Sequence, residues 1–93
     1  MLKAKTALVT GSTSGIGLGI AKALARQGAN IILNGFGDSE GPLKEVQDVI
    51  TSSGSGARVG YHGADMSKAA DIEAMFAYAT QTFGQVDILV NNA

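Results

Sequence analysis

A glycine-rich segment near the start of the chain has the residue types needed to bind phosphate. Residues 10 to 17 read TGSTSGIG, with small hydroxyl residues between Gly11, Gly15 and Gly17. Glycine lets the backbone turn tightly and lets a phosphate approach the peptide nitrogens without a side chain in the way. A strand pattern precedes the segment and a helix pattern follows it, so the free amides of a helix N-terminus would face the anion. We predict a phosphate-binding loop here; the alternative is that the glycines serve only a tight strand-to-helix turn.

The spacing of this segment excludes one common phosphate loop and departs from another. Gly15 is followed by Ile16, where a Walker loop requires a lysine that contacts the phosphates. Ile20 stands where the usual dinucleotide motif has its third glycine or an alanine. The prediction therefore depends on the strand before the segment, the helix after it, its three glycines and the small hydroxyl residues between them, and not on either standard motif.

Two later segments are expected to bind the adenosine part of a dinucleotide. The turn at residues 34–38 (NGFGD) contains no arginine or lysine, and Ser14 rather than a basic residue precedes Gly15. A 2′-phosphate would find no cationic partner there, so we predict NAD rather than NADP as the cofactor. Phe36 would lie against adenine or ribose, or else pack under the sheet. Asp65, after the third strand, would accept a hydrogen bond from the adenine amino group, or else cap a helix.

Alternating strand and helix patterns determine where these residues lie. The predicted strands are residues 6–10, 30–34, 58–62 and 87–90. The predicted helices are residues 16–27, a second from about Pro42 to residues 52–54, and a third with Ser67 as its N-cap and Gly84 at its end. This alternation predicts an α/β fold, a Rossmann-type parallel sheet with helices on both faces, truncated after the fourth strand. Ligands of such sheets bind beyond the carboxyl ends of the strands, where residues 10–17, 35–38, Asp65 and Asn91 would meet.

Helical spacing of apolar residues predicts which face of each helix is buried. The predicted buried residues are Ile16, Ile20, Ala23 and Leu24 in the first helix, Leu43, Val46 and Ile50 in the second, and Ile72, Met75, Phe76, Ala79 and Phe83 in the third.

Composition excludes several classes of protein. A chain of 93 residues has room for one small domain, and 45% hydrophobic with 16% charged residues is a globular balance. The absence of cysteine excludes disulfides and thiolate metal sites, and a single histidine, His62, makes a histidine metal site unexpected. A net charge of −1 argues against nucleic-acid binding. No apolar run reaches the roughly 18 to 20 residues of a membrane span, and no signal-peptide pattern occurs, so we expect a cytoplasmic protein without a membrane partner.

Three ordered motifs resemble those of the short-chain dehydrogenase/reductase family. TGSTSGIG is similar to the family's cofactor loop, Asp65 followed by Met66 to its adenine-binding position, and Asn91-Asn92-Ala93 to the start of its NNAG motif. The resemblance implies an oxidoreductase that binds a nicotinamide cofactor, acts on a small-molecule substrate and forms a homo-oligomer. It also implies that Asp65 and Met66 contact adenine and Asn91 the adenosine ribose. The residues that it places at the pyrophosphate and the nicotinamide-side ribose are Gly11, Thr13, Ser14, Gly15, Ile16 and Gly17.

The turn at residues 34–37 resembles that of the bacterial family members that act on 3-hydroxybutyrate, which use NAD and interconvert 3-hydroxybutyrate with acetoacetate. The implied reaction is hydride transfer between NAD and a small hydroxy acid. An NADP-dependent ketoacyl reductase is the alternative within the family.

The family's catalytic tyrosine, with a lysine four residues later, has no counterpart in this sequence. Tyr61 is followed at the fourth position by Asp65, and Tyr78 by Thr82. We therefore assign no catalytic residue and expect residues 1–93 to be the NAD-binding, N-terminal part of a longer enzyme. A non-catalytic nucleotide-binding fragment is the first alternative. A methyltransferase that uses adenosyl-methionine is the second, and it is disfavoured because Asn34 and Gly35 stand where the ribose-binding acid is expected at the end of the second strand.

Overall fold

The computed structural model describes residues 1–92, in which four strands and three helices alternate. Their bounds are β1 Thr6–Val9, α1 Gly15–Arg26, β2 Asn30–Asn34, α2 Glu40–Ser53, β3 Val59–His62, α3 Ala69–Phe83 and β4 Ile88–Val90. The strands form one parallel sheet in the order β3-β2-β1-β4, with Leu8 of β1 aligned with Ile32 of β2 and Leu89 of β4. The predicted Rossmann-type α/β fold is confirmed.

Each face of the sheet has its own hydrophobic core. Helices α1 and α2 cover one face, where Ala21, Ala25, Val46 and Ile50 pack with the side chains of alternate strand residues. Helix α3 covers the other face, where Met75 and Ala79 pack against Leu8 and Ile32. Strand β1 is fully buried because it lies inside the sheet and under helices on both sides, which explains its unbroken apolar run.

The buried face of α1 differs from the prediction. Ile16 is 78% exposed and Ala23 is also exposed, while Ile20 and Leu24 are only partly buried. The buried residues are small and spaced four apart, namely Gly17, Ala21 and Ala25. The prediction was wrong because it gave weight to large apolar side chains, whereas a helix packed closely on a strand and a loop needs small ones at the contact.

The start of α3 also differs from the prediction. The N-cap is Lys68, in an extended conformation and without a side-chain cap hydrogen bond, and not Ser67. The Ser67 hydroxyl instead donates to the Asp65 carboxylate at 2.7 Å. Asp71 lies in the first turn, as predicted, where its negative charge is favourable to the helix dipole. None of the helices in residues 1–92 is long and apolar enough to cross a membrane.

Candidate cofactor-binding site

A cleft of about 350 Å³ lies at the carboxyl edge of the sheet, where β1, β2 and β3 end. Its lining residues are Gly11, Thr13, Ser14, Asn34, Gly35, Phe36, Ala64, Asp65, Met66 and Ser67. Of the residues expected to bind cofactor, Gly15, Ile16, Gly17 and Asn91 are not in this lining. A larger hollow of about 450 Å³ lies between the C-terminal ends of α1 and α2, at the opposite edge. We take the smaller cleft as the candidate site because ligands of open α/β sheets bind at the carboxyl ends of the strands.

The glycine loop has the backbone shape that its composition predicted. Gly11 and Gly15 have φ values of 59° and 57°, a left-handed region that favours glycine. A Cβ atom at Gly15 would meet no protein atom within 4 Å, so the space beside this residue is open. At Gly17 a Cβ atom would overlap the Gly11 carbonyl and lie 2.7 Å from the Asn92 side-chain nitrogen. The three glycines therefore serve two purposes, two allowing the turns and the third allowing close contact between loop and helix.

The N-terminus of α1 is free to receive an anion. Ser14 is its N-cap, makes no side-chain cap hydrogen bond, and is followed by a first turn without an acidic residue. The amides of this first turn cannot bond within the helix, and the helix dipole makes them electropositive. Together with the open space at Gly15, this arrangement fits a pyrophosphate group.

Asn34 joins the glycine loop to β3. Its side-chain nitrogen donates to the carbonyls of His62 at 3.0 Å and Ala64 at 3.1 Å, and its side-chain oxygen accepts from the Gly11 amide at 3.4 Å. Its own amide donates to the Ser12 hydroxyl. Asn34 is 2% exposed, so it serves the scaffold rather than a ribose. Sequence reasoning did not assign it this role; the signal was a polar residue that ends an apolar strand.

The turn after β2 presents an aromatic ring and no cation. Phe36 is 71% exposed at the cleft, so the alternative that it packs under the sheet is wrong. The Thr13 hydroxyl donates to the Phe36 carbonyl at 3.2 Å, which holds the turn against the glycine loop. The Asp38 carboxylate accepts from the amides of Glu40 and Gly41 and so caps α2.

Asp65 closes a local turn with its side chain. One carboxylate oxygen accepts from the Ser67 amide at 2.9 Å and from the Ser67 hydroxyl at 2.7 Å. These bonds favour the ionised form and lower the pKa of Asp65, the side-chain bond contributing most. The Asp65 amide donates to the Asp71 carboxylate at 2.9 Å. The bonded Ser67 precedes the N-cap of α3, so the Asp65 side chain does not cap that helix.

Two asparagines after β4 bond to the start of the glycine loop. The Asn91 side-chain oxygen accepts from the Thr10 hydroxyl at 3.3 Å, and the Asn92 amide donates to that hydroxyl at 2.9 Å. The Asn92 side chain donates to the Gly11 carbonyl at 3.1 Å. Asn92 therefore supports the glycine loop directly, a contact that sequence reasoning did not identify. Ala93, the last residue of the predicted motif, lies outside the described residues.

Comparison with known proteins agrees with this arrangement. The family model described as short chain dehydrogenase matches residues 5–93. The chain belongs to the short-chain dehydrogenase family. Members of this family bind a nicotinamide cofactor and act on small-molecule substrates.

Individual relatives and solved structures are similar to the chain over nearly its whole length. D-beta-hydroxybutyrate dehydrogenase of Cupriavidus necator is 70% identical over all of this chain, which covers 34% of that relative. The solved structure of an NADH-dependent reductase A1-R′ complexed with NAD superimposes with a TM-score of 0.82 at 34% identity, covering 99% of this chain and 37% of the other. The structure of a metagenomic short-chain oxidoreductase in complex with NADP superimposes with a TM-score of 0.80 at 31% identity. That match covers 99% of this chain and 40% of the other. The chain spans about a third of the length of the curated relatives it matches.

Proposed function

We propose that residues 1–93 form the NAD-binding part of an oxidoreductase that transfers hydride between NAD and a small hydroxy acid such as 3-hydroxybutyrate. The observation that carries this proposal is the open N-terminus of α1 at Gly15, beside the cleft at the carboxyl edge of the sheet. The substrate class is supported by the 70% identity to a D-beta-hydroxybutyrate dehydrogenase.

The proposed site has two ends with different chemistry. The amides of the first turn of α1, with Thr13 and Ser14 of the glycine loop, would hold the pyrophosphate and the nicotinamide-side ribose. Asp65 would accept from the adenine amino group, with Met66 and Phe36 against the base or ribose and Asn91 towards the adenosine ribose. The nicotinamide ring, when bound, would accept the hydride at one of its carbon atoms. No residue within 1–93 is assigned a role in the proton transfer.

The charge of the turn after β2 supports NAD over NADP. Residues 34–38 contain no arginine or lysine, and their one charged side chain, Asp38, is acidic and caps α2. A 2′-phosphate would enter this region without a cationic partner and would be repelled by the carboxylate. We further propose, on the family resemblance, a cytoplasmic homo-oligomer for the whole protein.

Calorimetric titration of the full-length protein with NAD and NADP tests this function, together with spectroscopic detection of NADH when D-3-hydroxybutyrate is added. We expect NAD to bind at least about tenfold more tightly than NADP, equivalent to about 1.4 kcal/mol. Gly15→Val should abolish NAD binding because its side chain would fill the open space next to the loop. Equal affinity for NADP would favour the ketoacyl reductase alternative.

Gly54→Val is the matched control for backbone strain. Gly54 has a φ of 68° and no neighbour within 4 Å of a Cβ atom, as at Gly15, but it is the C-cap of α2 at the other edge of the sheet. The free energy of unfolding should fall by a similar amount in both variants, and only Gly15→Val should lose NAD binding. Unchanged NAD affinity in Gly15→Val contradicts the pyrophosphate assignment.

A further inference from the structure

We propose that Tyr61 is a positioning residue for the adenosine side of this site, through a hydrogen bond that holds the Gly35 carbonyl. This inference rests on the function proposed above. The Tyr61 hydroxyl donates to the Gly35 carbonyl oxygen at 2.5 Å, and Gly35 and Phe36 both line the cleft. Tyr61 itself is not among the lining residues.

The hydroxyl of Tyr61 is held in place by the core. Tyr61 lies in β3 and is aligned with Leu33 of β2, which is fully buried. Its ring packs against the core between the sheet and helices α1 and α2. From this position the hydroxyl extends past the end of β2 to the turn. The bond therefore connects the turn to packed structure and not to an exposed side chain.

A second hydroxyl, from the glycine loop, also bonds to this turn. The Thr13 hydroxyl donates to the Phe36 carbonyl at 3.2 Å. Thr13 also lies so close to Gly35 that a Cβ atom there would be 2.5 Å from its hydroxyl oxygen. The Gly35 carbonyl thus accepts a hydrogen bond from β3, and the next carbonyl, that of Phe36, accepts one from the glycine loop.

Fixing the Gly35 carbonyl also fixes the start of Phe36. The peptide bond between these residues is trans and planar, so its N–H points opposite to its carbonyl. Gly35 has no side chain to restrict its backbone, and Phe36 is largely exposed, so neither residue holds this peptide by its own packing. The Tyr61 bond supplies that constraint, and a turn ordered before binding loses less entropy when adenosine binds.

Kinetics of the full-length protein with Tyr61→Phe test this role, because the variant keeps the packed ring and removes only the donor. We expect KM for NAD to rise about three- to tenfold, the effect of one lost hydrogen bond, while kcat stays within about twofold. AMP carries the adenosine side of the cofactor and nicotinamide mononucleotide the other side. The inhibition constant of AMP should rise by the same factor as KM, and that of nicotinamide mononucleotide should not change.

Tyr78→Phe is the matched control. Tyr78 lies in α3 on the other face of the sheet, with its ring against His62 and Phe83. We expect its KM, kcat and AMP inhibition to equal those of the unchanged protein. Unchanged KM in Tyr61→Phe would overturn the inference, and so would a parallel loss of melting temperature, kcat and binding of both inhibitors, which would show a structural role alone. If the unchanged protein does not bind NAD, the proposed function fails instead.

Discussion

Gly17 shows how closely α1 approaches the loop before it. A methyl group at this position would overlap the Gly11 carbonyl, whereas at Gly19, half a turn further on, it would meet nothing within 4 Å. Both residues lie inside the same helix, so they share backbone geometry and differ in surroundings. The pair therefore separates the steric demand of the loop from helix propensity.

We predict that Gly17→Ala lowers the free energy of unfolding by about 1 to 3 kcal/mol, because the added methyl forces the loop away from the helix. NAD affinity should fall at least about tenfold in the full-length protein as the loop moves. Gly19→Ala should leave NAD affinity unchanged and raise stability by up to about 1 kcal/mol through better helix propensity. Urea unfolding measures the stability of each variant, and calorimetry measures its affinity for NAD. Equal stability of the two variants would contradict the prediction.

Asp65 gives a prediction for acid pH. Its pKa is lowered in the folded protein by the Ser67 hydroxyl and amide, so the unfolded chain binds the proton more readily. The stability from this carboxylate is present above its unfolded pKa of about 4 and is lost as pH falls through the lower folded pKa. Ser67→Ala should raise the pKa of Asp65 towards its ordinary value. Carboxyl NMR titration measures this, and identical pKa values in both proteins would show that the Ser67 hydroxyl does not lower the pKa of Asp65.

Residue types indicated part of the site but not its internal bonds. The position of the glycine loop, Phe36 and Asp65 at the carboxyl edge of the sheet could be predicted, because strand ends and glycine spacing are local features of a sequence. The hydrogen bonds of Asn34, Asn92 and Tyr61 could not be predicted, since each depends on atoms that only the folded sheet brings together. These three side chains bond to backbone carbonyls, which every residue carries and no pattern distinguishes.

At the scale of elements, Arg58, the residue immediately before β3, contacts the end of α3. Its guanidinium donates to the Thr82 carbonyl at 2.9 Å and lies 4.7 Å from the centroid of the Phe83 ring. The Thr82 carbonyl is in the last turn of α3, where carbonyls have no partner within the helix. Arg58 therefore both supplies a hydrogen bond and covers an aromatic face.

Arg58→Ala should lower the free energy of unfolding by about 1 to 1.5 kcal/mol through loss of both contacts. Lys44→Ala is a suitable control, because it removes an exposed cation paired with Asp48 one turn along α2. That change should cost less than about 0.5 kcal/mol, as exposed ion pairs contribute little. Chemical denaturation of both variants measures the difference, and equal losses would show that the Arg58 contacts add nothing.

The order of the elements was predictable, and the packing of α1 was not. Unbroken apolar runs such as that of β1 identify strands covered on both faces, and their alternation with helical patterns determines a parallel sheet. The close contact of α1 uses Gly17, Ala21 and Ala25, which hydrophobic periodicity underrates because they are small. Distance between elements is set by the whole fold, so it cannot be read from one helix.

At the scale of the molecule, β4 leaves an open edge. Among residues 1–92, β4 pairs with β1 only, and Leu89 in its centre is 55% exposed. An unpaired strand edge with an exposed apolar side chain is a template for pairing with another chain. Ile88 and Val90, by contrast, are partly buried against the core.

We predict that the 93-residue chain by itself associates as its concentration rises, and that Leu89→Lys reduces this association by placing a charge at the edge. Ile16→Lys is the control, because Ile16 is an exposed apolar residue on α1, away from the strand edge. Sedimentation across a concentration series measures the effect. A monomer at every concentration with a sharp, high melting transition would contradict it.

The central position of β1 also has a consequence during synthesis on the ribosome. The Thr6 amide donates to the carboxylate of Asp87, 81 residues later, whereas the β2 partner of Thr6 is Asn30. At about 5 to 20 residues per second, roughly 4 to 16 seconds separate the translation of Thr6 from that of Asp87. We expect one flank of β1, the only strand of residues 1–92 in which every residue is buried, to stay uncovered for that interval. Chaperones would meet the nascent protein there, and slower codons before β4 would lengthen the exposure.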